Sequence, residues 1–422
     1  MHSRQTGSIG IIGLVLVCTL ARAEAPPAAG VASTPALDVP VAPQLSLADV
    51  VEQTWRRNPG LQVFQARLEE ADARRTQADS VFAADPAFSV RHNNSGLGSR
   101  NGLSEWEWGL EMPIWLPGQK TARRQVAERE RQGVAVSEQA LRLSIAGTVR
   151  EALWQIALLR NRTNLAHREW QTARQLEQDV ARRVRLGDLP DSDLILAQQE
   201  TLTRQDDYRG AAADLRQQFD RYRILTGLES IPAEYRENRS EQERVSDRHP
   251  ALAETMAQVD VLQARLDQAR HERRGNPTLL LGTRHERALS GEDYENSVGV
   301  IVRVPLGLKS QSAPGLATAR LELARARQQR DELKRQLGIG LQQATQTLQT
   351  TQQALQLAQQ QDRLAARNLE LARKSFALGE SDLFTLLRVQ TQAFNAEQNL
   401  QRRRIELQFD IASYNQALGV LP

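Results

Sequence analysis

Between Glu105 and Trp115 apolar and polar residues alternate: Trp106, Trp108, Leu110 and Met112 share one parity, and Glu105, Glu107 and Glu111 the other. Side chains of a strand point to opposite faces with a period of two, so this stretch predicts a strand with one apolar and one acidic face. The alternation returns at Val298, Val300, Val302 and Val304. A second candidate strand precedes each run, giving hairpins over 86–93 with 105–115 and over 277–286 with 294–306. Asparagine- and glycine-rich turns link the partners.

Elsewhere the period lengthens. Ile145, Val149, Ala152, Ile156, Leu159, Thr163 and Ala166 are spaced alternately by four and three, as are Leu337, Leu341, Ala344, Leu348, Thr351, Leu355 and Ala358. A sustained 3.5-residue seam predicts coiled-coil helices, over about 119–184 and 316–377, each roughly 90–100 Å long at 1.5 Å per residue. Gly187 and Gly379 break these helices. Glycine at such a break suits a tight reversal, so shorter helices over about 191–225 and 382–418 should fold back as antiparallel partners. Two further short helices, about 58–84 and 250–274, precede the hairpins.

The two sets are copies. Asn58-Pro59 recurs as His249-Pro250, Asp85-Pro86 as Asn276-Pro277, Pro113-Ile114 as Pro305-Leu306, Leu186-Gly187 as Leu378-Gly379, and Gly227 as Gly419, always 191 or 192 residues later. A constant offset over five landmarks is an internal duplication. The predicted organisation is a signal peptide at 1–23, a flexible Pro/Ala-rich leader at 24–44, a first repeat at 45–230 and a second at 231–422. Four helical columns carry four strands at one end and two hairpin tips at the other.

Composition sharpens this picture. Of 422 residues 25% are charged and only 5% aromatic, a balance suited to long helices packed through narrow seams. The apolar run from Ile9 to Leu20, followed by Ala21-Arg22-Ala23, has the form of an export signal. Its removal takes away Arg4 and Arg22, lowering the formal charge from +3 to +1. Basicity is then no argument for nucleic acid, and no nucleic-acid partner is expected. The single cysteine, Cys18, also lies in that run, which suits a mature protein in an oxidising compartment.

No catalytic constellation is visible, so neither an enzyme nor a cofactor is expected. His92, His167, His249, His271 and His285 lack metal-ligand spacing. His92 and His285, each after an arginine near the end of a strand, are read as solvated rim residues.

Two readings of the strands remain. The apolar face either packs on helices in a soluble β-layer or meets lipid. Lipid tolerates no open sheet edge, and the smallest transmembrane barrels have about eight strands, so lipid requires several copies of the chain. Three copies supply twelve strands. Trp106, Trp108, Leu110, Met112, Val298, Val300 and Val302 would then face lipid, and Glu105, Glu107 and Glu111 the water-filled lumen.

With these pieces in order, the whole mature chain resembles the TolC-type outer-membrane efflux family. The resemblance rests on the strand exits Met112-Pro113-Ile114-Trp115-Leu116-Pro117-Gly118-Gln119-Lys120 and Val304-Pro305-Leu306-Gly307. It rests equally on the tips Arg185-Leu186-Gly187 with Leu194 and Gln198, and Ala377-Leu378-Gly379 with Leu386 and Gln390. Within the family the pattern is nearest to the heavy-metal, CzcC-like branch.

The resemblance implies a mainly α fold with a small β part. It further implies a homotrimer whose twelve-stranded outer-membrane barrel continues into a twelve-helix periplasmic α-barrel. The implied function is a passive, porin-like exit channel for small solutes, heavy-metal cations among them. The implied partners are outer-membrane lipid, a periplasmic adaptor (membrane fusion protein) and an inner-membrane transporter of the RND type. The resemblance assigns Leu186, Gly187, Leu378 and Gly379 to adaptor contact, and Asp188, Asp191, Asp193, Glu380 and Asp382 to an acidic periplasmic gate. Thr385 and Arg388 stand where some relatives carry carboxylates. The same acids also suit helix starts, so capping is a competing role. A type I-like secretion duct and a soluble periplasmic coiled-coil scaffold are the alternative functions.

Overall fold

The computed structural model describes residues 39–95, 102–289 and 291–422. The signal peptide, most of the leader and the centre of the first hairpin turn lie outside these residues. In chain order the elements are β1 (Val41–Ala42), α1 (Leu47–Arg56), α2 (Gly60–Asp79), β2 (Ala87–Asn94), β3 (Ser104–Pro113), α3 (Gln119–Arg185) and α4 (Asp191–Thr226). The second half adds β4 (Ile231–Pro232), α5 (Pro250–His271), β5 (Thr278–Arg287), β6 (Glu295–Arg303), α6 (Lys309–Ala377) and α7 (Leu383–Ala417).

The seams form as the spacing predicts. Ile145, Val149, Ala152, Ile156, Thr163 and Ala166 are buried along α3, and Leu341, Leu348, Thr351 and Ala358 along α6. α3 packs against α4 over its distal half and α2 over its proximal half, while α6 packs likewise against α7 and α5. α5 and α7 also lie against α3, so they bridge the two long helices. The columns therefore run α2/α4, α3, α5/α7, α6, leaving one flank of α6 and one flank of α2/α4 without a neighbour.

Several boundaries differ from the sequence reading: α2 ends at Asp79 rather than Ala84, α5 at His271 rather than Arg274 and β6 at Arg303 rather than Leu306. α6 begins at Lys309, seven residues early, because Pro314 lies close enough to the helix start to cost a single intrahelical bond. α1 is a separate helix, begun by a capping box in which Ser46 Oγ accepts from Asp49 N while Asp49 takes the Ser46 N–H. The end of the leader is docked: Val39 is buried, and Val41 and Ala42 pair in parallel with Ile231 and Pro232.

Residues 233–249 are anchored by buried polar contacts. Arg150 of α3, only 2% exposed, donates to both carboxylate oxygens of Glu237 at 2.8 and 2.6 Å, and to the Val420 carbonyl at 3.0 Å. Asn415 holds Ser240 N and Asn238 O, and Tyr414 Oη donates to Gln242 O at 2.6 Å.

Candidate channel wall and hairpin tips

The four long strands form one antiparallel sheet in the order β2-β3-β5-β6. Register decides its faces. Phe88, Leu110, Leu281 and Val300 stand opposite one another in one row, and Val90, Trp108, Thr283 and Val298 in the next. Met112, Leu279 and Val302 extend the same face. This apolar face has no partner layer: Val298 is 81% exposed and Phe88 69%. At the end remote from the helices it closes with His92, Trp106, His285 and Asn296. The His92 ring stacks on Trp106 at 4.0 Å, and His285 stacks on Tyr294 at 4.1 Å. The two histidines thus flank Trp106 rather than meet.

The opposite face is charged. Arg284 reaches Glu105 at 2.8 Å and Glu107 at 2.9 Å, and Arg91 reaches Glu107 at 3.1 Å. The Glu105 and Glu107 side chains are 15% and 27% exposed, well below the valines behind them, as on the concave side of a curled sheet. Ser89, Gly109, Gly282 and Gly299 form a transverse row of small residues on this face, where curling crowds side chains most. Glu111 shares the face nearer the helices, beside Leu280 and Ile301. Sequence reasoning placed the glutamates on one side but missed Arg284. Its signal was its parity in β5, usable only once β5 is known to pair with β3.

Both tips have one geometry. Gly187 N bonds Val184 O at 2.9 Å and Asp188 N bonds Arg183 O at 2.9 Å; Gly379 N bonds Phe376 O at 3.2 Å and Glu380 N bonds Ser375 O at 2.9 Å. With φ of 81° and 77°, the two glycines complete matching Schellman turns. Leu186 and Leu378 project at 73% and 74% exposure. Behind them Val180, Ala197, Phe376, Leu383 and Leu386 form one apolar cluster joining the two hairpins. Arg183 lies over the Phe376 ring at 5.0 Å, beside a groove of about 790 Å³ edged by Arg182, Asp188 and Arg373.

The five tip acids divide between roles. Asp382 is an N-cap: its side chain accepts from Thr385 N at 2.7 Å, which holds the carboxyl below its usual range. Asp191 and Asp193 lie in the first turn of α4, where carboxylates complement the helix dipole. Asp188 and Glu380 follow the tip glycines and are exposed.

Above the tips is a cluster the sequence did not reveal. Arg204 of α4 bonds Glu200 at 2.7 Å, Glu169 at 3.4 Å and Thr391 of α7 at 3.2 Å, while Arg168 pairs with Glu397 at 2.7 Å. These contacts tie the first tip hairpin to α7. Burial pushes the Glu169 carboxyl up, against the pull of Arg204. Among the described residues no helix is long and apolar enough to cross a membrane, and no group of three or more His, Cys, Asp or Glu is placed to hold a metal ion.

No family model and no curated protein matches the sequence. Solved structures do match in fold. The CusC transmembrane channel superposes with a TM-score of 0.71 at 15% identity, covering 89% of this chain and 92% of that one. VceC, an outer-membrane protein of Vibrio cholerae, gives 0.71 at 15%, covering 89% and 96%. The Campylobacter jejuni outer-membrane channel CmeC gives 0.69 at 16%, covering 88% and 85%. The fold is that of the TolC-type channels. The likeness is one of fold and covers nearly nine-tenths of this chain.

Proposed function

We propose that the chain is one protomer of a homotrimeric outer-membrane exit duct. Its twelve-stranded barrel and twelve-helix periplasmic tunnel pass small solutes outward, driven by an inner-membrane transporter acting through a periplasmic adaptor. The observation that carries this reading is the sheet: four strands, one unpartnered apolar face, one charged face and two free edges. Such a sheet is unsatisfied alone in water and alone in lipid, and closure of several copies in a bilayer resolves both problems. The apolar face, from Trp106, Trp108, Leu110 and Met112 across to Val298, Val300 and Val302, then meets lipid, while Glu105, Glu107 and Glu111 line the lumen.

In this reading the protruding Leu186 and Leu378, positioned by Gly187 and Gly379, meet the adaptor. Asp188, Asp191, Asp193, Glu380 and Asp382 add negative charge to the periplasmic entrance, with Asp382 capping its helix as well. The cargo we favour is cationic, metal ions included. Carboxylates outnumber guanidiniums on the polar face: Glu105, Glu107, Glu111, Glu286 and Glu295 against Arg91, Arg284 and Arg303. A lumen of one sign concentrates counter-ions of the other.

The test is the native mass and conductance of mature protein extracted by detergent from outer membranes. A trimer that conducts, with a reversal potential favouring cations, is expected. A monomer in the soluble periplasm would overturn the duct and leave a scaffold.

A further inference from the structure

The internal duplication specifies more than a copy number. Moving β2 by 191 residues gives β5, and moving β3 by 192 gives β6. Applied to the observed pair Ala87–Glu111, this yields Thr278–Arg303; applied to Asn93–Glu105, it yields Arg284–Ser297. Both are observed pairs, so the two hairpins share one register. The chain also contains one joint between repeats, β3 with β5. The second such joint, β6 with β2, has no counterpart within a single chain, and its two edges are the free edges of the sheet.

We infer that β6 joins β2 of a second copy in the register of the internal β3–β5 joint, which puts Val302 opposite Val90 of the partner subunit and Gly299 opposite Asn93 of the partner subunit. This rests on the multimeric duct proposed above and deepens it to residue pairs. The register follows from Leu110–Leu281 and Glu107–Arg284, observed partners whose repeat equivalents are those two pairs. It preserves the faces: Val302 and Val304, 59% and 58% exposed, come opposite Val90 and Phe88 of the partner subunit, while Gly299 stays on the polar side. A slip of one residue would put charged side chains into the apolar face.

The latch below the internal joint supports the same assignment. Gln119 is 1% exposed; its Oε1 accepts from Leu116 N at 3.0 Å and from Asn276 Nδ2 at 2.7 Å, and Ile114 N donates to Pro277 O at 2.7 Å. Its repeat equivalent Gln311 sits in a matching helix start, with Gln311 N bonding Leu308 O at 3.0 Å as Gln119 N bonds Leu116 O at 3.2 Å. Gln311, however, is exposed, because the copies of Asn276 and Pro277 are Asp85 and Pro86, at the far edge of the sheet. In the joint Leu306 N donates to the carbonyl of Pro86 of the partner subunit. A carboxylate cannot donate, so the Gln311 amide presents Nε2–H to Asp85 of the partner subunit, a charge-assisted bond. The helices repeat the asymmetry: Leu165 is 3% exposed, and its equivalent Leu357 is 60% exposed.

Disulfide trapping tests this in a Cys18→Ser background, which has no other cysteine. Directly opposed strand residues hold their Cβ atoms about 4.5–5.5 Å apart, close to disulfide reach, whereas positions two residues off are about 7–8 Å apart. Full-length V302C/V90C and, on the other face, G299C/N93C should both give covalent trimers when oxidised in outer membranes. The shifted pairs V300C/V90C and V304C/V90C should give little or none. Asp85→Asn should leave the trimer's heat resistance intact, and Asp85→Lys should lower it. Trapping that favours a shifted pair, or a native trimer that no pair traps, overturns the register while leaving the duct standing. A monomeric native mass overturns both.

Discussion

At the scale of single residues, stability concentrates in buried polar groups whose partners lie far away in sequence. Arg150 is the largest fully buried side chain, held by Glu237, Gln416 and the Val420 carbonyl. Removing one member of a buried ion pair strands the other, at about 3–5 kcal/mol, whereas replacing both with apolar groups costs far less. Arg150→Ala should therefore lower unfolding stability by about that amount, and Arg150→Met with Glu237→Leu should recover most of it; equal losses in denaturant melts would show that the ion pair is not the cause. His249 is a different case. It is 3% exposed and neither ring nitrogen has a partner, so burial lowers its pKa below the usual 6.5. The unfolded chain then binds the proton more readily than the native one. This contribution to stability is complete above about pH 6.5 and declines as pH falls towards the lowered native value. Its repeat equivalent Asn58 instead has a partner, accepting from Gly60 N at 2.8 Å. His249→Asn should flatten the wild type's loss of stability as pH falls below about 6.5, seen as the difference between two series of melts; parallel curves would refute it.

At the scale of elements, the tips separate shape from contact. Nothing lies within 4 Å of a Cβ added at Gly187 or Gly379, so alanine there meets only the penalty of positive φ, about 1–2 kcal/mol. Leu186 and Leu378 point into solvent and contribute little to folding. The double variant Leu186→Ser/Leu378→Ser should keep the wild-type melting temperature and lose co-purification with a periplasmic adaptor; retained binding would remove these leucines from the contact. These elements were legible in the sequence because their signals are local. Strand parity, the 3.5-residue seam and the Leu-Gly step each occupy one short window, and the duplication printed each of them twice. What stayed hidden depends on tertiary pairing. Arg284 joins the charged face only when β5 meets β3, and Arg150 looks like any seam-flanking arginine until residues 233–249 fold over it. The Arg204 cluster forms only where α4 approaches α7. The Ser46-x-x-Asp49 cap is likewise a local signal, and it marks the start of α1.

At the scale of the whole molecule, the long helices pose the same question as the sheet edges. α3 is flanked by α2 and α4 on one side and by α5 and α7 on the other, whereas α6 has neighbours on one side only. On its bare side Leu357, Leu364 and Leu371 recur every seven residues at 60%, 74% and 49% exposure. A seven-residue leucine stripe is the seam of a coiled coil awaiting its partner, and leaving it wet forfeits roughly 1.5–3 kcal/mol per side chain. The bare side of α4 carries Ile195 and Leu202, also seven apart, at 57% and 65% exposure. Packing α6 of one protomer against α4 of the next would cover both stripes, and no rearrangement within the protomer is needed to expose them. A charge in the α6 stripe should then damage assembly while sparing the protomer. Leu364→Asp is expected to give helix content and export like the wild type, but a trimer that dissociates in detergent at protein concentrations where the wild type stays whole. The paired substitution Leu348→Asp, at a position 2% exposed within the protomer's own seam, should instead unfold the chain. If both substitutions leave the native mass unchanged, the stripe is not an assembly surface and the free flank of α6 faces water in the working protein.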